Sequence, residues 1–204
     1  MSSKEYFNEV AKDWDNMRSR FFSDNLREKV IERSGVKENE TAADLGAGTG
    51  YMTDSLLRKG LKVVAVDESE KMVEILKSKY ETIEAKLGSA EKLPLSDNSV
   101  DYSFANMYLH HVDSPSVAIK EMVRILKPTG KLIISDLDKH NHEFLRTEQN
   151  DRWLGFEHAE IIEWFQEAGL KNVHVDCANE NCCTDSKDSD QGVEIDIFIA
   201  YGEK

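Results

Sequence analysis

The chain has 204 residues, 40% of them apolar and 32% charged, a composition that suits one compact domain and excludes both a disulfide-stapled mini-protein and an extended disordered segment. Its 39 acidic and 26 basic side chains give a formal charge of −13, which repels phosphate backbones and anionic lipid, so the expected partner is a small molecule rather than nucleic acid or a membrane. No stretch reaches the roughly 18 apolar residues of a membrane span, and the start Met1-Ser2-Ser3-Lys4-Glu5 lacks the apolar run of a secretory leader. The three cysteines, Cys177, Cys182 and Cys183, are odd in number and two are adjacent, which suits free thiols in a reducing, cytoplasmic setting.

Taken in chain order, residues 4–33 read as two helices, with Tyr6, Phe7, Val10, Trp14 and Met17 on one face at three- and four-residue spacing. Strand and helix then alternate. Ala42–Leu45 reads as a short strand, Tyr51–Arg58 as a helix, Leu61–Val66 as a strand and Lys71–Lys79 as a helix. Ile83–Leu87 and Val100–Ala105 follow as strands, then Val117–Leu126 as a helix and Lys131–Ser135 as the fifth strand. Glu160–Ala168 reads as a helix stopped by Gly169, Val173–Val175 as a strand, and 193–201 as a closing strand near the sheet edge. The polar stretch Cys177–Gly192 between the last two is expected to be a mobile loop. The alternation predicts an α/β fold, a doubly wound and mainly parallel sheet with helices on both faces.

Chemistry is concentrated in Asp44-Leu45-Gly46-Ala47-Gly48-Thr49-Gly50, placed where the first strand ends and the next helix begins. Glycines there allow a tight turn and close backbone approach to a ligand. Asp67 ends the next strand about 20 residues on, where a carboxylate can accept hydrogen bonds from both ribose hydroxyls. A dinucleotide fold uses similar parts, but its third glycine would fall at position 51, which is Tyr51. Asp44 would also repel a pyrophosphate, whereas it would attract the ammonium of a methionine moiety. The pattern therefore favours a methyl-donor nucleoside over a dinucleotide.

These residues resemble the class I S-adenosylmethionine-dependent methyltransferases, in particular the type 11 group that includes quinone-biosynthesis C-methyltransferases. The resemblance runs from about Thr41 to Ser135. Besides the glycine loop it rests on the segment Val66-Asp67-Glu68-Ser69-Glu70-Lys71-Met72, on Ser89-Ala90-Glu91-Lys92-Leu93-Pro94, on Leu109-His110-His111, and on Arg124-Ile125-Leu126-Lys127-Pro128-Thr129-Gly130. It implies a Rossmann-like, seven-stranded, mainly parallel sheet with one antiparallel strand, and S-adenosylmethionine as cofactor. It also implies an organisation of the single domain 1–204 into a helical cap over 1–35, a cofactor-binding core over 41–136, an insertion or lid over 137–156, and a closing helix and strands over 157–204.

By the same resemblance Gly46 and Gly48 contact the methionine part, Asp67 holds the ribose, and Glu68 and Met72 border the ribose and adenine. Ala90 and Glu91 flank the adenine, Asn106 lies beside the methionine end, and Asp44, Ala47 and Ser89 are counted with them as cofactor-binding residues. Two positions depart from the family pattern: Ser89 stands where Asp is frequent, and Thr129 where Gly is usual, in the turn before the fifth strand.

Methyl transfer from a sulfonium needs alignment and dehydration first, and a base only if the acceptor must lose a proton. Ligands bind outside the carboxyl ends of parallel strands, so the candidates are His110 and His111 after the fourth strand and His142 after the fifth, with His140 and Glu143 nearby. Trp153 and Phe156 in the insertion could enclose an acceptor or anchor the insertion to the core. No resident metal is expected, since His140-x-His142 and the adjacent cysteines lack the spacing of structural zinc sites. The expected function is methyl transfer to a small molecule. The alternatives are a cofactor-binding regulatory module without turnover, or transfer to a thiophilic metalloid such as arsenite held by Cys182 and Cys183.

Overall fold

The computed structural model describes residues 2–185 and 192–204. Among them are three N-terminal helices, α1 (Ser3–Val10), α2 (Trp14–Phe21) and α3 (Asp24–Ser34), where the sequence suggested two. Phe22 is extended and the Ser23 side chain accepts from Asn25 N, so a new helix starts there; Gly35, left-handed at φ 61°, ends it. There follow β1 (Thr41–Leu45), α4 (Tyr51–Arg58), β2 (Lys62–Asp67), α5 (Glu70–Lys79), β3 (Glu84–Leu87) and β4 (Val100–Asn106). After a 3₁₀ turn at Leu109–His111 come α6 (Pro115–Arg124), β5 (Leu126–Leu137), α7 (Phe144–Glu148), α8 (His158–Glu167), β6 (Lys171–Asp185) and β7 (Gly192–Glu203). No helix of the described residues is long and apolar enough to cross a membrane.

The strands form one seven-stranded sheet in the order β3-β2-β1-β4-β5-β7-β6. All neighbouring pairs from β3 to β5 are parallel, and β7 runs antiparallel to both β5 and β6. The order reverses between β1 and β4, which opens a crevice at the carboxyl ends of those strands. Side-chain alternation splits the core between the two faces. Ala42, Phe104 and Ile133 pack under Leu26, Val30, Met52 and Leu56 of α3 and α4, while Ala43, Leu45, Ala105 and Ile134 pack with Ile119 and Met122 of α6 and Phe165 of α8.

Three expectations are corrected. The helix placed at Val117–Leu126 is Pro115–Arg124, because Pro115 fits the first helical turn and Leu126 already pairs with Val100 in the sheet. The fifth strand is therefore longer than Lys131–Ser135. The stretch Cys177–Gly192, expected to be a loop, instead carries Cys177–Asp185 in β6 and Gly192 in β7, an antiparallel ribbon with Cys182 opposite Ile195 and Thr184 opposite Val193. Residues 186–191 lie outside the described residues.

Candidate active site

The glycine loop leaves β1 at the crevice. Gly46 and Gly48 take φ 65° and 56°, a region open to glycine and strained for other side chains. A Cβ at Gly46 would stand 2.3 Å from the Tyr108 ring. The loop is tied to β2 by Gly46 N and Ala47 N, which donate to Val66 O at 2.9 and 3.1 Å. Asp67 closes the frame. Its Oδ1 accepts from Ser69 N at 2.9 Å and its Oδ2 from Gly48 N at 2.8 Å. Burial pushes its carboxyl up to about 6, against the pull of those backbone donors.

Together these residues wall a cleft of about 240 Å³. Of the residues marked in the sequence, Gly46, Ala47, Gly48, Asp67, Glu68, Met72, Glu91, Asn106 and His111 line it. Ser135 Oγ donates to Asn106 Oδ1 at 2.6 Å, and Glu91 Oε1 accepts from Asp113 N and Ser114 N. Ser69 caps α5 by accepting from Met72 N, which sets Met72 against the cleft floor.

Three marked residues stand elsewhere. Asp44 is 2% exposed and its Oδ2 accepts from Thr53 Oγ1 at 2.6 Å. Strand alternation turns it toward α4, so it braces the loop from behind rather than offering a charge to the cleft. Ala90 is buried in the core, and Ser89 sits in a short turn closed by Lys92 N donating to its carbonyl; neither side chain lines the cleft.

Helices α1 and α2 roof the cleft with Ser3, Lys4, Phe7, Trp14 and Arg18. Ser3 Oγ donates to His111 O at 3.1 Å, Ser69 Oγ to Asn8 Oδ1 at 2.8 Å, and Lys4 pairs with Glu70. The roof is thereby fixed to both the 3₁₀ turn and the start of α5.

A second, smaller cavity of about 50 Å³ lies beyond Phe7, Trp14, Phe22, Met107 and His111, which border both spaces. Its other walls include Tyr6, His110, Leu145, Gln149, Asp151 and Cys182. Tyr6 Oη donates to Gln149 Oε1 at 3.0 Å, joining the N-terminal roof to the insertion. Cys182 is 8% exposed in this wall while Cys183 is exposed to solvent, because adjacent strand residues face opposite ways. Trp153 and Phe156 anchor the insertion: Trp153 Nε1 donates to Val112 O at 3.0 Å and Phe156 is buried in the core.

The three candidate histidines separate clearly. His110, 5% exposed, has its Nδ1 2.6 Å from Asp136 Oδ1, and His111 stacks edge-on against Phe7. His142 borders neither cavity; it stacks on His140, and its backbone N donates to His140 Nδ1. Burial drives the His111 imidazole well below its ordinary range, leaving it neutral, and does the same to His140, down to about 4. Sequence reasoning overlooked Asp136, Asp151, Arg152 and Tyr108. Asp136 was open to discovery, since like Asp67 it is an acid at a strand's carboxyl end; Asp151 carries no such signal.

Residues 43–134 match the family model described as a methyltransferase domain. An uncharacterized methyltransferase of Mycobacterium tuberculosis is 47% identical over 89 residues, 44% of this chain and 36% of that protein. A demethylmenaquinone methyltransferase of Paenarthrobacter aurescens is 36% identical over 110 residues, 54% of this chain and 44% of that protein. The matched segments thus span less than half the length of these relatives. A SAM-dependent methyltransferase structure from Aquifex aeolicus superposes with a TM-score of 0.70 at 24% identity, covering 96% of this chain and 97% of that one, which is a likeness of fold. With its glycine loop, the acid ending β2 and the 3-2-1-4-5-7-6 sheet, the chain shares the fold of that structure, and its residues 43–134 are similar to the methyltransferase-domain family.

Proposed function

We propose that the chain binds S-adenosylmethionine in the larger cleft and transfers its methyl group to a small molecule seated in the smaller cavity. The observation that carries this reading is the shared wall: the cleft of about 240 Å³ over the glycine loop meets a second cavity across Phe7, Trp14, Met107 and His111. The residues fit the cofactor. Gly46 and Gly48 let the backbone close on it, Asp67 is a carboxylate held by two backbone donors at the cleft wall, and Glu68 and Met72 border the same end. When bound, the cofactor supplies an electrophilic methyl group on a positively charged sulfur.

The protein's part is then to align and to exclude water. Phe7, Trp14 and Phe22 border both spaces, and alignment of two reactants across such a wall contributes about 7–11 kcal/mol. Removal of an acceptor's proton, where the acceptor carries one, falls to the buried group of His110, His111 and Asp151 at the acceptor side. His142 has no part in this reading. A dinucleotide fits less well, because Tyr51 holds the third-glycine position, with its hydroxyl donating to Ser23 O and the Arg18 guanidinium over its ring.

The test is calorimetric titration of the purified protein with S-adenosylmethionine, S-adenosylhomocysteine and the nicotinamide dinucleotides in parallel. Selective binding of the first two is expected and opens an acceptor screen by mass increase of one methyl group. Failure to bind either would remove the reading.

A further inference from the structure

The buried group beside the smaller cavity has the construction of a metal site. His110 Nε2 and His111 Nδ1 each lie 3.8 Å from the same oxygen, Asp151 Oδ1, and one ligand atom from each of the three residues falls within 4.8 Å of the others. Two imidazole nitrogens facing one carboxylate oxygen beyond hydrogen-bond reach is an arrangement a shared cation explains. Ligands at about 2.0–2.2 Å from a tetrahedral centre stand roughly 3.3–3.5 Å apart, so the two contacts to Asp151 need close by only a few tenths of an ångström, and a separation at the 4.8 Å bound would close by about 1.4 Å.

The outer partners are in place as well. Asp136, fully buried, takes His110 Nδ1 at 2.6 Å on Oδ1, where Leu137 N also donates at 2.8 Å. Its Oδ2 accepts from Tyr108 N, Leu109 N and His110 N at 3.1, 2.8 and 3.4 Å. A carboxylate on the far nitrogen of a ligating imidazole fixes which nitrogen faces the metal and raises its basicity. His111 Nδ1 also lies 3.4 Å from Asn150 O, a long contact that ligation would give up. Two buried carboxylates, Asp136 and Asp151, place negative charge beside the site that a bound cation would offset. Arg146 and Arg152, the nearby cations, are occupied by Glu143 and Asp113.

We infer that His110, His111 and Asp151 bind one divalent transition-metal ion of the zinc type, with Asp136 as the outer partner of His110 and an open coordination position facing the smaller cavity. Imidazole ligands favour such an ion over magnesium or calcium. Resting on the methyl-transfer reading, the site's use follows: with the ion bound, the three residues serve as ligands in place of a base, and a hydroxyl or thiol acceptor loses its proton to solvent as it takes the open position. Its lone pair then forms the bond to the methyl carbon as the carbon–sulfur bond breaks and that pair returns to sulfur.

The experiment is titration of the chelator-stripped protein with Co²⁺ as the spectroscopic probe, read by visible absorption and displaced by Zn²⁺. One equivalent with a visible d–d band and no thiolate-to-metal charge-transfer band is expected. Asp136→Asn should weaken the affinity by about 10–100-fold, and Asp151→Asn should abolish the band. A wild-type protein that gives neither the band nor a Zn²⁺-dependent rise in Tm would overturn the site, irrespective of how the variants fold. So would a signal that survives Asp151→Asn and vanishes in a Cys177→Ser/Cys183→Ser variant, since the ion would then sit on surface thiols. S-adenosylhomocysteine binding is measured on the same sample; its absence beside an intact cobalt spectrum removes the methyl-transfer reading and keeps the metal site.

Discussion

Replacing Asp67 by Asn isolates the acid at the end of β2. In the wild type each carboxylate oxygen serves one backbone donor, Ser69 N at 2.9 Å and Gly48 N at 2.8 Å, and the remaining lone pairs border the cleft. Asn keeps one oxygen and turns the other into an NH₂, so one of the two backbone donors faces a donor. The charged acceptor expected to meet the ribose hydroxyls disappears as well. Loss of a charged hydrogen bond is worth about 1.5–3 kcal/mol, or roughly 10–150-fold in Kd. Calorimetric titration of wild type and Asp67→Asn with S-adenosylhomocysteine measures it, with the unliganded Tm of both recorded to separate binding from folding. A folded variant that binds as tightly as wild type would refute the placement of the ribose at Asp67.

Gly46→Ala should cut cofactor affinity more than tenfold and lower the Tm, because its Cβ would stand 2.3 Å from the Tyr108 ring and its φ is 65°; undiminished affinity in the same titration would count against the close approach. Thr129 holds φ 67°, a left-handed conformation costly for a β-branched side chain. Thr129→Gly should therefore raise stability by about 0.5–1 kcal/mol after the larger unfolded-state entropy of glycine is offset. That corresponds to a Tm gain of roughly 1–4 °C in a thermal melt, and an unchanged or lower Tm would show the turn to be unstrained. Affinity for S-adenosylhomocysteine should fall about three- to tenfold as the pH drops from 7.5 to 5. Asp67 is raised from 3.8 to about 6, so it is an anionic acceptor at the upper pH and a neutral acid at the lower. A pH-independent affinity in wild type, or the same fall in Asp67→Asn, would remove Asp67 as the titrating group.

The larger cleft was mostly legible because its signals are local. Glycines whose backbone must turn left-handed, an acid ending a strand, and a serine capping the next helix all lie within a few residues of what they do. Asp44 misled for the same reason: its neighbours in sequence point into the cleft, but the period of two in a strand turns its own side chain toward Thr53. The smaller cavity was far less legible. Tyr6, His110, Asp151 and Cys182 reach it from four separate parts of the chain, and no spacing records their meeting. The strand at Cys182 was hidden by the polar composition of 177–185, in which only Ala178 and Cys182 reach the core while its backbone pairs with β7. The third N-terminal helix was missed although Ser23-Asp24 is a helix start, since the aromatic stripe before it drew the reading across the break.

The ribbon of β6 and β7 has a consequence for how this protein comes into being. Cys182 and Thr184, at its far end, close a cavity whose opposite wall is Tyr6, Phe7 and Trp14. During synthesis the segment 43–134, with its glycine loop and Asp67, is complete while the ribbon is still unmade. The smaller cavity closes only with residues that leave the ribosome more than 160 positions after the α1 and α2 residues they meet. A change confined to the ribbon's far end therefore reshapes the smaller cavity while leaving the lining of the larger cleft as it is.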